Sequence, residues 1–114
     1  MTSPDPAALG RRRADELLAL LPHDDGAADR LLTALSDVRE LVFVGAGLTA
    51  VARAEARGLP PAQRAQANTR QERLGVLRDS NRDNPEGLRI WLRRAAEEIL
   101  LIRSQQAVAD TLAT

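Results

Sequence analysis

Arginine is the only permanently charged cation this chain offers for chemistry. Its 16 basic side chains include no lysine, and they are matched by 16 aspartates and glutamates, with one histidine and no cysteine. A guanidinium presents a flat fork of donors that fits a carboxylate or phosphate, and it keeps its proton at any ordinary pH. The chemistry on offer is therefore anion binding and charge stabilisation rather than proton transfer. Residues 51–82 carry seven arginines against three acids, whereas 1–50 carry five against eight and 83–114 four against five. Arg53, Arg57, Arg64, Arg70, Arg73 and Arg78, in that basic middle third, form a candidate anion site if the second and third long elements pack side by side.

The other reactive types lack partners. His23 sits beside Asp24, Asp25 and Asp29, a set with oxygen ligands for a divalent ion. Acids at a helix start also cap free amides and complement the helix dipole, and that simpler role is the expectation, with no metal. Ser3, Ser36, Ser80 and Ser104 have no second histidine and no lysine to activate them, so no catalytic residue is assigned and no cofactor is expected. A formal net charge of zero and the lack of aromatic residues among the middle arginines argue against nucleic-acid binding.

One motif points elsewhere. Gly45, Gly47 and Ala50 are spaced as G-x-G-x-x-A behind the apolar run Leu41–Val44, which read as strand, turn and helix would open a dinucleotide-binding unit. That unit needs a second strand ending in an acid roughly 20 residues on, and the following "LPPAQRAQANTRQERLGVL" contains none. The glycines are therefore expected inside a helix, where each loses ~1 kcal/mol relative to alanine. Gly45 is expected to be kept for the close approach of a neighbouring helix.

The elements that must position these residues are all helices. Leucine and alanine dominate and strand formers are scarce. The expected architecture is an all-α antiparallel bundle spanning 1–114 as one domain: a short N-terminal helix over 6–21, opened by Asp5 and Pro6, then three long helices over 27–57, 61–80 and 85–112. The seam of the first long helix is read as Ala28, Leu31, Leu35, Val38, Val42, Gly45, Thr49 and Ala52, and a continuous rod over 27–57 would be ~46 Å long. Leu88, Trp91, Ala95, Ile99 and Ile102 make the seam of the last helix. Arg93 and Arg94 beside Glu97 and Glu98 are read as solvated pairs at helical spacing.

The run Leu41 to Val44 and the run Ile99 to Ile102 are apolar on every side of a helix, more than one chain of this size is expected to cover. A homodimer, intertwined or side by side, is therefore expected, with Leu41, Phe43, Val44, Trp91, Leu100 and Leu101 as interface residues. No apolar run approaches the ~20 residues that cross a bilayer. A soluble, cytoplasmic protein is the expectation.

One very long helix, a "GLP" loop, a shorter arginine-rich helix and a last helix opening "NPEGLRIWLRRAAEEI" together resemble the all-helical chorismate mutases, over roughly residues 27–106 and including Gln105 and Gln106. The resemblance implies an intertwined dimer that clamps the two carboxylates of chorismate, with Arg53, Arg57, Arg70, Arg73 and Gln105 as the clamp. Beside it stands the reading favoured by the missing catalytic set: a small helical interaction module that works by self-association or by binding a protein partner. A third reading is anionic-ligand binding through the basic middle helix.

Overall fold

The computed structural model describes residues 5–113. Five helices pack against one another: α1 (Pro6–Leu20), α2 (Asp25–Ala34), α3 (Val38–Ala56), α4 (Pro61–Asp79) and α5 (Pro85–Ala113). There is no strand among the described residues, and Leu41 to Val44 lie within α3. The G-x-G-x-x-A spacing is thus helical. No described helix is long and apolar enough to cross a membrane.

Local signals account for most boundaries. The Asp5 carboxylate accepts from the Ala7 amide at the start of α1, and Asp24 accepts from Ala27 at the start of α2. Pro61 and Pro85 occupy first-turn positions of α4 and α5, where a missing N–H costs nothing.

The expected rod over 27–57 is two helices. Leu35 turns to an extended backbone (φ −81°, ψ 95°), and Asp37 then caps α3 by accepting from the Arg39 amide. Leu35 is buried although it sits in the break, and Arg89 of α5 closes the end of α2. Its Nε donates to the carbonyls of Leu32 (3.1 Å) and Leu35 (3.2 Å), and its Nη2 donates to Leu35 (3.0 Å). A cation bound to the last carbonyls of a helix satisfies acceptors that have no partner within it. The interruption also resets the helical phase. The buried face of α3 is Leu41, Val44, Gly45, Leu48, Val51 and Ala52, whereas Val42, placed on the seam by a continuous rod, is exposed.

Helix α3 is the centre of the molecule, with α1 on one side and α5 on the other. Gly10 of α1 lies so close to α3 that a Cβ there would stand 2.6 Å from the Phe43 carbonyl oxygen, and a Cβ on Gly47 would meet the Ala14 methyl at 3.3 Å. Across the opposite face, the Trp91 ring of α5 occupies the space a Cβ on Gly45 would need. The two midchain glycines thus serve two different crossings. The α3–α5 contacts advance in step, from Gly45 with Trp91 to Glu55 with Arg103 and Gly58 with Gln106, so these helices run in the same direction. The α5 seam Leu88, Trp91, Ala95, Ile99 and Ile102 is buried throughout.

Helix α4 differs. Ala67 is its one fully buried residue, Leu74 and Leu77 are only partly buried against the core, and a charged contact, Arg70 with Glu98, links it to α5.

Candidate functional site

The five residues grouped as an anion clamp separate in space. Arg53, near the end of α3, lines a cleft of about 280 Å³ with Thr49, Asn68, Gln71, Glu72 and Arg78, with Trp91 at its base. Arg57, one turn further, is exposed at the C-cap of α3 and lines none of these clefts. Arg70 and Arg73 face the other side of α4, in a groove of about 240 Å³ shared with Leu74, Leu77, Arg94 and Glu98. Gln105 is farther along α5, with a buried side-chain oxygen that accepts no hydrogen bond. The long helix on which the likeness to the chorismate mutases rests is broken at Leu35.

The groove between α4 and α5 is electrostatically lopsided. Glu98 is 7% exposed, and both its oxygens accept from Arg70 Nε, at 2.8 and 2.7 Å. Glu98 is therefore a buried inter-helix anchor and not half of a solvated pair with Arg94, because its position turns it toward α4. Arg70 Nη2, buried by the same packing, donates to nothing. Arg73 and Arg94 are exposed and, among the described residues, have no hydrogen bond or ion pair. Three guanidinia thus line a groove whose one carboxylate, Glu98, is bound by Arg70 alone.

The acids around His23 have a different partner from the one their composition suggested. Asp24 is the α2 cap, while Asp25 and Asp29 both accept from Arg93 of α5, Asp29 at 2.6 Å. The hydrogen bond that Arg93 donates to Asp25, aided by the charges of Asp25, Asp29 and Glu97 and opposed by desolvation, raises the Arg93 pKa. Arg93 is thus a strut between α2 and α5, and its contact with Glu97 on its own helix is long, at 3.9 Å. Arg103 forms a second strut, gripping both oxygens of Glu55 on α3 at 2.7 and 2.9 Å. That hydrogen bond to Glu55 likewise raises the Arg103 pKa against some desolvation. Sequence spacing favoured partners on the same helix for Arg93, and only the tertiary fold supplies those on α2.

Of the six residues assigned to an interface, Leu41, Val44 and Trp91 are buried within the chain, 3% exposed at most. Within the apolar turn of α3, Leu41 and Val44 are buried in the chain, whereas Val42 stays exposed and Phe43 half-buried. Phe43 is half-buried, with the Arg39 guanidinium 5.8 Å above its ring, and it lines an apolar cleft of about 470 Å³ between α1, α2 and α3 with Leu9, Leu31 and Leu35. Leu100 is half-buried and Leu101 exposed.

Of the exposed large apolar side chains, Leu101 was picked out by its run, whereas Ile90, Val108 and Leu112 were not, and these four form a stripe. Ile90, Leu101, Val108 and Leu112 are all exposed on α5, and at 100° per residue they fall within about 40° of one line along the helix. That line lies roughly 125° round the helix from the seam that packs on α3. Arg94 and Glu97 lie on it between Ile90 and Leu101.

No protein-family model, curated protein or solved structure matches this chain.

Proposed function

We propose that this protein is a helical interaction module whose binding surface is the outer face of α5, and that its first partner is a second copy of itself. The observation that carries the reading is the stripe Ile90, Leu101, Val108 and Leu112. Its spacing is self-complementary: eleven residues separate Ile90 from Leu101, and eleven separate Leu101 from Leu112. Two α5 helices laid antiparallel about a two-fold axis at Leu101 bring Ile90 of one copy against Leu112 of the other, with the two Leu101 side chains facing across the axis. A two-fold contact of this kind needs only one surface to be its own complement.

The magnitudes make the association modest. Burying the part of each stripe residue that is still exposed is worth on the order of 1 kcal/mol. Eight such side chains must offset an association cost of roughly 4 kcal/mol or more, so the pairing is concentration-dependent. This is suited to a regulatory or assembly partner that exchanges between a second copy and another amphipathic helix.

The test is solution mass by light scattering over a concentration series. The expected result is a rise toward twice the chain mass, abolished by Leu101→Asp and unaffected by Val76→Asp, which changes an exposed apolar residue on α4 away from the stripe. Because the chain has no cysteine, Leu101→Cys with a short thiol crosslinker is expected to give covalent dimer, and Val76→Cys is not. A wild-type chain that stays monomeric at the highest concentration reached removes the proposal.

A further inference from the structure

The groove between α4 and α5 carries a separate inference, argued from the single chain, although its Arg94 also lies along the outer face of α5. We infer that Arg70, Arg73 and Arg94 form a binding site for a phosphate dianion, free or as the monoester of a small molecule.

The argument begins with donors that lack acceptors. Arg70 cannot swing away, because its Nε is committed to both oxygens of the buried Glu98, at 2.8 and 2.7 Å. Its Nη2 is nevertheless buried with no acceptor, a state that costs roughly 1–3 kcal/mol in the absence of a partner. Arg73 follows Arg70 by three residues, so the two guanidinia rise from one face of α4. Arg94 precedes Glu98 by four residues on the facing edge of α5. All three line the same groove, and neither Arg73 nor Arg94 has a partner among the described residues. Elsewhere in the molecule Arg89, Arg93 and Arg103 each have an acceptor on another helix. The contrast separates arginines used to hold the fold from arginines left open at a groove.

Charge and shape select the ligand. Glu98 neutralises one guanidinium, and the remaining two positive charges match the charge of about −1.5 to −2 on a phosphate monoester near neutral pH. A tetrahedral dianion offers acceptors in several directions, as three converging forks require. A single carboxylate would leave charge uncompensated. The groove volume of about 240 Å³ exceeds a bare phosphate, and its apolar wall of Leu74 and Leu77 gives a place for the organic part of a monoester.

The experiment is titration of the full chain with inorganic phosphate, read by calorimetry at low salt, with malonate as a dianion of different shape. Saturable binding of one phosphate per chain is expected, weakened about tenfold or more by Arg73→Gln or Arg94→Gln and left intact by Arg12→Gln, which removes an exposed arginine of α1. Arg73 and Arg94 hold nothing in the fold, so their variants are expected to melt as the wild type does. Leu101→Asp is expected to bind phosphate normally, which keeps this result separate from the outcome for self-association. Failure of phosphate to saturate overturns the site, as does equal loss in Arg12→Gln. Malonate binding as tight as phosphate overturns the assignment of the ligand.

Discussion

The two helices that embrace α5 hold it by opposite means. On the α3 side, glycine lets the Trp91 ring rest against backbone, and Leu41, Val44, Leu48 and Val51 close a dry seam with Leu88, Leu92 and Ile99. On the α4 side, one alanine is fully buried, Leu74 and Leu77 are only partly so, and Arg70 grips Glu98. Close packing of apolar surface is where a small domain gains most of its stability. A buried ion pair adds little net energy, because desolvation offsets the attraction. The α3–α5 seam therefore sets the stability of the fold, while the α4–α5 seam is free to carry ligand chemistry at small cost to it.

Replacing Trp91 is the severest way to break this comparison. Trp91→Ala leaves a cavity beneath Gly45 and is expected to cost about 3–5 kcal/mol in urea unfolding, which for a chain of this size approaches its whole stability. A loss below about 1 kcal/mol would show that the α3–α5 seam is not the dominant one.

Glycine substitution sharpens the contrast, since one chemical change should have opposite signs on the two sides. Gly45→Ala drives a methyl into the Trp91 ring, and Gly10→Ala drives one onto the Phe43 carbonyl; each is expected to cost about 1–3 kcal/mol by overpacking. Gly75 lies on α4 with only the tip of Arg78 nearby, at 3.8 Å, and its φ is not positive. Gly75→Ala is expected to stabilise by about 0.5–1 kcal/mol, the ordinary preference of a helix for alanine. Thermal melts of the three variants decide the matter, and three shifts of the same sign would refute it.

The smallest expected effect is at the ion pair itself. Exchanging both members for apolar residues, as Arg70→Met with Glu98→Leu, is expected to be neutral within about 1 kcal/mol or stabilising, whereas Glu98→Leu alone strands the Arg70 charge and is expected to be the less stable of the two. A double variant as damaged as the single one would mean that the pair holds α4 in place.

Several of these features were legible residue by residue. Asp5 with Pro6 and Pro85 mark helix starts by chemistry that acts within four residues, and the α5 seam follows from spacing alone. The close approach at Gly45 was readable too, because a glycine that costs helix stability on an apolar face implies a neighbour. The break at Leu35 to Asp37 was not recovered. Its signal, an aspartate three residues before a glutamate, is also compatible with an unbroken surface turn, and what tips the balance is Arg89, 54 residues away from Leu35, donating to the carbonyls that the break exposes. Likewise the residues grouped as an anion clamp do not share one cleft. Arg53 and Arg70 share a basic stretch but point into different clefts, while Arg94 was read as a surface charge.

By itself, then, the amino-acid sequence determined that this chain is helical, where most of its helices begin, and which face of α5 turns inward, because caps, proline geometry and apolar periodicity act over a turn or two of backbone. Only the tertiary structure decided that the middle helix is two, that Glu98 is buried, and that Arg93 serves α2 while Arg94 is left open. Those outcomes depend on which charge meets which across helices far apart in the chain, and the gain from such a meeting exists only once the apolar seams have brought the helices together.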